Sequence, residues 1–272
     1  MNLLDRGLRY GDGFFDTMLL LEGNPVWARA HWDRMVSAAR SLEIAWPKID
    51  KSPDSKLNEA FNSWLQEIQV EWIKSDRPST AKVRTLVWRA GDGDYAPLGE
   101  QFQCRLSVHP TELKAENSFR LGPSPIVQCP PFIPWLKSLS AMPYVLAANF
   151  AKKQGWDDAL VVNSKGQFIE SSRSNLFYWV DGICHSPSFM EGCLPGIAAQ
   201  YLIKFLSKNG FTVQYAAATY DSLREASGIW LTNSIRGVSQ VHFWDNYPIG
   251  PDPHWHLAAA ANTGIQGGSE LP

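Results

Sequence analysis

The chain has 272 residues, 44% of them hydrophobic, and a formal net charge of −2. That length accommodates one large or two modest domains with true cores, and the near-neutral balance gives no electrostatic case for nucleic acid or an anionic membrane as a partner. No apolar run approaches the roughly 20 residues of a membrane span, and the opening MNLLDRGLRYGDG lacks an apolar signal-peptide core, so a soluble cytoplasmic protein is expected. Cys104, Cys129, Cys184 and Cys193 form no CxxC and no metal-like group, which predicts unbridged thiols in a reducing compartment and no metal site. Twelve tryptophans predict large rigid cores or interfaces without naming a ligand.

Taken in chain order, GLRYGDGFFDTMLLLEGNPVWA reads as a turn, a strand and a hairpin turn at Glu22–Pro25. ARAHWDRMVSAARSLEI has helical periodicity, with His31, Arg34, Met35, Ala38 and Leu42 on one side. Residues 54–74 predict a second amphipathic helix striped by Leu57, Ala60, Phe61, Trp64, Leu65 and Ile68. KVRTLVWRAGDGDYAPLGEQFQCRLSVHP reads as two strands about a Gly-Asp loop. The expected organisation is a small N-terminal α/β domain over residues 1–110, a polar linker over 111–120, and a larger C-terminal domain over 121–272. In the second half, Pro143 to Gln154 suits a helix with proline in its first turn and Gly155 at its end. DDALVVNSKGQFIESS and SNLFYWVDGICHSP read as hairpins, and GIAAQYLIKFLSKNG as a helix closed by Asn209–Gly210. FTVQYAAAT and SGIWLTNS read as strands, and NTGIQGGSELP as a frayed tail.

One charge stands out. In PFIPWLKSLSAMPYVLAANFA the sole charged side chain is Lys137. An ammonium in apolar surroundings either snorkels, pairs with a carboxylate, or gives up its proton and serves as a nucleophilic amine. Glu170, on the return strand of a hairpin, is a carboxylate able to hold a heterocyclic nitrogen protonated. CLPGIAAQYL offers backbone N–H groups of Ile197 and Ala198, behind Gly196, at a helix start where an anion could bind. LTNSIRG ends a strand in hydroxyl and amide groups and then Arg236, and Arg34 is a third cationic candidate. Amine, carboxylate and anion cradle together are what pyridoxal phosphate requires. His254 and His256 read as surface residues, Cys193 as packing, and Asp157 and Asp158 as a solvated turn, one of which could cap a neighbour. The second GDG, Gly91–Gly93, reads as a hairpin turn.

The blocks RGLRYGDGFFDT, AHWDRM, LKSLSAMPYVLAANFAKKQGWDDALVVNSKGQFIESSRSNLF, EGCLPGIAAQYLI and IWLTNSIRGV resemble, in order and spacing, the class IV pyridoxal-phosphate aminotransferases. That family takes in branched-chain aminotransferase, D-amino-acid aminotransferase and aminodeoxychorismate lyase. The resemblance implies a two-domain α/β fold with a pseudo-barrel C-terminal domain, the cofactor in the cleft between domains, and a homodimer. Lys137 would carry the cofactor covalently and Glu170 would face its pyridine nitrogen. Arg34, Gly196, Ile197, Ala198 and Ser234 would hold its phosphate, and Asn175 and Leu176 would line its ring. Thr17, Arg89 and Arg236 are the expected substrate contacts. The nearest branch is the lyase that makes 4-aminobenzoate and pyruvate for folate biosynthesis. The alternative is an aminotransferase between a branched-chain or D-amino acid and a 2-oxo acid.

The chain departs from the family pattern at several points. Met142 stands where branched-chain enzymes carry a tyrosine, and Phe15-Asp16-Thr17 replaces their F-E-G. Ala198 lacks the hydroxyl often found there, and Ser140 stands for an asparagine. The WRAGDGDYAP loop lacks the extra arginine of many lyases. The chain also starts about one strand and turn later than the family pattern.

Overall fold

The computed structural model describes residues 5–47, 54–113, 118–128, 133 and 135–266. Two compact units partition the chain: Met1–Leu113 with Trp135–Ser140, and Lys114–Pro134 with Ala141–Pro272.

The first unit opens with α1 (Arg6–Tyr10), capped at its start by the Asp5 carboxylate on Gly7 N and closed by Gly11 at φ 64. There follow β1 (Gly13–Leu21), β2 (Asn24–Pro25), α2 (Ala28–Ser41), α3 (Asp54–Lys74), β3 (Thr80–Arg89) and β4 (Phe102–Pro110). The strands form an antiparallel sheet in the order β2-β1-β3-β4. β3 alternates buried and partly exposed residues, the two-residue period of a sheet with one face in a core. Trp64 and Ile68 of the predicted α3 stripe are buried, and Leu57, Ala60, Phe61 and Leu65 pack beside them. Trp32 holds this core together, its ring 5.1 Å from that of Trp46, 5.5 Å from Trp64 and 5.7 Å from Phe61. Burial of each such aliphatic or aromatic side chain contributes about 1.5–3 kcal/mol.

β2 covers only the Leu20–Leu21 end of β1. The other end of that edge is taken by the segment carrying Lys137. Phe15 N donates to Lys137 O (2.9 Å), Leu139 N donates to Gly13 O (3.0 Å), and Phe14 bridges Ser138. Lys137, expected in the C-terminal domain, groups instead with the first unit, because an open strand edge satisfies the backbone groups of its segment.

The second unit contains β5 (Arg120–Val127), α4 (Met142–Gln154), β6 (Asp158–Val162), β7 (Phe168–Ser171), β8 (Asn175–Val180), β9 (Ile183–Ser186) and α5 (Ile197–Lys208). It continues with β10 (Val213–Tyr215), α6 (Tyr220–Glu225), β11 (Gly228–Asn233), β12 (Gly237–Gln240), β13 (Phe243–Trp244), β14 (Tyr247–Pro248) and α7 (Trp255–Gln266). Its mixed sheet runs β10-β9-β8-β7-β6-β5-β13-β14, and β11 joins β8 and β12. The β5–β6, β5–β13 and β9–β10 pairs are parallel, and the remaining pairs are antiparallel. Both predicted hairpins, β6–β7 and β8–β9, are present.

Three expectations are corrected here. The linker expected over 111–120 ends early: Phe119 is buried in the second unit's core and Arg120 starts β5, while 114–117 lie outside the described residues. Of the expected frayed tail, Asn262 to Gln266 belong to α7; the Asn262 amide accepts from Val238 N and donates to Val238 O, both at 2.7 Å. The rest of that tail lies outside the described residues, as does Cys129. His254, expected at the surface, stacks on Trp179 at 3.8 Å and 6° and is partly buried, whereas His256 is exposed.

Candidate active site

In the first unit the Lys137 Nζ lies 4.6 Å from the centroid of the Phe15 ring, a cation–π distance. Its backbone is held by the β1 pairing, so the side chain starts from a paired strand edge. Thr17 lies two residues along β1 from Phe15 and shares its half-buried face, across from Arg84. Asp16 points to the opposite, buried face, at 3% exposure. There the Asp16 Oδ1 accepts from His31 Nδ1 (2.6 Å) and the Oδ2 from Arg34 Nε (2.8 Å). His31 and Arg34 are three apart on α2, the spacing that brings both onto one carboxylate. Burial alone would raise the Asp16 pKa, but the charge of Arg34 and the contact with His31 outweigh it and hold the pKa down to about 2. Burial drives the His31 pKa below its ordinary value, with Asp16 pulling the other way. Arg34 is therefore held in one orientation, with one edge of its guanidinium on Asp16.

Arg89 sits differently from its expected role. It is 7% exposed, and its Nε donates to Asp12 (3.1 Å) while its terminal nitrogens donate to the carbonyls of Glu43 and Leu42. Asp12 also takes Arg6 Nε at 2.9 Å. Each guanidinium nitrogen of Arg89 thus donates within the unit, tying the start of β1 to the end of α2.

The second unit carries the carboxylate. Glu170 (β7), Asn175 (β8) and Thr232 (β11) are successive register partners, so their side chains share one face of the sheet. Glu170 is 5% exposed. Its Oε2 accepts from Asn175 Nδ2 (3.2 Å) and Leu194 N (3.1 Å), and its Oε1 from the Tyr144 hydroxyl (2.6 Å). Asn175 Nδ2 also donates to Leu194 O at 2.6 Å, which anchors the Leu194–Gly196 loop to the strand. Gly196 touches this array so closely that a Cβ there would overlap Asn175 Oδ1.

Asp158, read from sequence in a solvated turn, is 1% exposed. Its carboxylate accepts from Ser171 Oγ (2.9 Å), Ser172 N (3.2 Å) and Arg173 Nε (3.3 Å), bracing the turn between Glu170 and Asn175. Asp157 does cap a neighbour, accepting from Arg120 N at 2.7 Å. Cys193 is buried with Sγ on the Pro187 carbonyl, and burial followed by the Glu170 charge pushes its thiol pKa up, so it is inert packing.

A phosphorylated pyridine fits these residues. α5 begins at Gly196 without a side-chain cap, and Ile197 and Ala198 in its first turn are buried; N–H groups at such a helix N-terminus suit an anionic ligand. α5 packs against β11, where the Thr232 hydroxyl is buried with no hydrogen-bond partner among the described residues. Such a hydroxyl awaits an acceptor or donor. Ser234 is half-buried in the turn after β11, where Asn233 Oδ1 accepts from Ile235 N and Arg236 N (2.9 Å each); the Arg236 side chain is exposed.

Glu170, Asn175 and the Leu194–Gly196 loop form one hydrogen-bonded group, and Leu176, on the other face of β8, is buried in the core. Sequence reasoning missed Tyr144, Asp158, Thr232 and the Asp16–His31–Arg34 cluster. Only the last had a local signal, the three-residue spacing of His31 and Arg34.

The family model described as amino-transferase class IV matches residues 13–244. The bifunctional aminodeoxychorismate lyase / D-amino acid transaminase of Mycobacterium tuberculosis (strain ATCC 25618 / H37Rv) is 25% identical over 256 residues, covering 86% of this chain and 82% of its own. The aminodeoxychorismate lyase of Vibrio harveyi is 24% identical over 244 residues, covering 87% of this chain and 84% of its own. Among solved structures, the branched-chain aminotransferase of the thermophilic archaeon Thermoproteus uzoniensis with norvaline superposes with a TM-score of 0.86 at 17% identity, covering 99% of this chain and 91% of its own.

Proposed function

This chain belongs to the class IV aminotransferase family of pyridoxal-phosphate enzymes, and from that premise we propose that it cleaves 4-amino-4-deoxychorismate to 4-aminobenzoate and pyruvate. The observation that carries the cofactor chemistry is Glu170, a buried carboxylate held by three donors and sharing a sheet face with Asn175 and Thr232. When bound, the cofactor supplies an electron-accepting ring that acidifies the carbon bearing the substrate's amino group. Glu170 would hold a proton at the ring nitrogen. The N–H groups of Ile197 and Ala198, with Arg34, Ser234 and Thr232, would take the phosphate.

Lys137 would hold the cofactor through its amine and, as a free amine, would take the proton from the amino-bearing carbon of the substrate. The C–O bond to the enolpyruvyl group then breaks and the six-membered ring becomes aromatic. Lys137 returns the proton to the methylene carbon of the departing enolpyruvate, which leaves as pyruvate. No second substrate is needed.

Thr17 after Asp16, and Met142 where branched-chain enzymes carry tyrosine, favour this reading over branched-chain transamination. One relative is named for both lyase and D-amino acid transaminase activity, which keeps transamination to a 2-oxo acid as the second reading. Incubation with aminodeoxychorismate alone is expected to give 4-aminobenzoate and pyruvate in equal amounts. Consumption of 2-oxoglutarate with D-alanine, or of 4-methyl-2-oxopentanoate with glutamate, with no 4-aminobenzoate formed, would replace the lyase reading by the second.

A further inference from the structure

We propose that Tyr144 is a positioning residue: its hydroxyl fixes the orientation in which the Glu170 carboxylate meets the cofactor ring. The inference rests on the reading of Glu170 given above. A glutamate side chain has three rotatable bonds, so a carboxylate facing a ring nitrogen needs support on both oxygens. Oε2 has that support from Asn175 Nδ2 and Leu194 N, and Oε1 receives it from Tyr144 at 2.6 Å, the shortest of the three contacts. An O–H donor on a carboxylate at this length is a charge-assisted hydrogen bond.

Tyr144 is itself held in place. It lies in the first turn of α4, which packs on β5 and β6, and its ring packs in a cluster with Ile126, Ala147, Val161, Ile169 and Cys193. Ile169 precedes Glu170 on β7, and Val161 of the neighbouring β6 is the register partner of Glu170. A ring wedged there delivers its hydroxyl to one point. Burial, and then the negative charge of Glu170, push the Tyr144 pKa up, so the group remains protonated and acts as the donor. It supplies no proton to the reaction; it acts through Glu170.

Pyridoxamine 5′-phosphate, which forms no bond to Lys137, is the probe. Tyr144→Phe keeps the ring in its cluster and removes one O–H. Titration of the apoprotein is expected to show about tenfold weaker binding in Tyr144→Phe and a shifted absorption band of the bound probe, with the apoprotein melting temperature within a few degrees of the parent. In the Glu170→Gln background, the same substitution is expected to change the dissociation constant by less than about twofold, because the two residues act as a unit. An unchanged dissociation constant and band in Tyr144→Phe overturns the proposal. So does a full tenfold loss in the Glu170→Gln background, which would mean that Tyr144 acts on its own. If Glu170→Gln alone leaves binding and band as in the parent, the reading of Glu170 itself fails, and the proposal with it.

Discussion

Asp16 concentrates the electrostatics of the first unit: a fully buried carboxylate made tolerable by Arg34 and His31. Its pKa of about 2 lies below the ordinary 3.8, so its stabilising contribution is complete above pH ~4 and is lost as pH falls toward 2, about 2 kcal/mol in all. His31 acts in the same direction. Its folded-state pKa is depressed from 6.5, so the neutral form is favoured by folding and that advantage declines as pH falls below the ordinary value. Denaturant unfolding of Asp16→Asn at several pH values is expected to show roughly 2 kcal/mol lower stability at pH 7 and a flattened acid limb between pH ~4 and ~2. An acid limb identical to the parent's would refute this assignment. At the same scale, Lys137 and Glu170 could be singled out from sequence as candidates because a solitary charge in an apolar run and a carboxylate in a short hairpin are local patterns. Asp158 and Tyr144 were not. Asp158 looks like a turn residue until the β6–β7 pairing buries it under Ser171 and Arg173, and the role of Tyr144 exists only once α4 has docked on β5 and β6.

At the scale of elements, strand edges and helix ends position the candidate groups within each unit. The open half of the β1 edge captures Lys137, and the uncapped start of α5 presents Ile197 and Ala198. Gly196 joins that helix start to β8. Its φ of −65 is ordinary, so glycine is required by space and not by backbone conformation. The atom that a methyl group would strike, Asn175 Oδ1, belongs to an amide already bound to Glu170 and to the Leu194 carbonyl, so it has little room to yield. Gly196→Ala is therefore expected to cost about 1–3 kcal/mol in thermal unfolding and to weaken pyridoxamine 5′-phosphate binding together with it. A variant with the parent's melting point and affinity would show that the packing at Asn175 is looser than described. Most elements followed from periodicity and turn chemistry, as in the α3 stripe, the Asn209–Gly210 helix end and the four hairpins β1–β2, β3–β4, β6–β7 and β8–β9. The short helices α1 and α6 escaped because one or two turns leave no period to read. α6 nonetheless carries a capping box, Thr219 with Ser222, built from two hydroxyls without the usual Glu or Gln.

At the scale of the molecule, each unit has its own core: a tryptophan-centred one under the antiparallel sheet of the first, and one between sheet and helices in the second. Alternation and amphipathic helices made the α/β class readable. The assignment of Lys137 to the first unit was not readable, because strand-edge pairing between residues more than a hundred positions apart leaves no local trace. The proposed chemistry stands on a bond between the Lys137 amine and pyridoxal phosphate. Borohydride reduction of the protein after incubation with pyridoxal 5′-phosphate, followed by peptide mass analysis, is expected to show one pyridoxyl group, on the peptide bearing Lys137, and none in Lys137→Ala. Incorporation spread over surface lysines, or an unmodified Lys137 peptide, would rule that bond out.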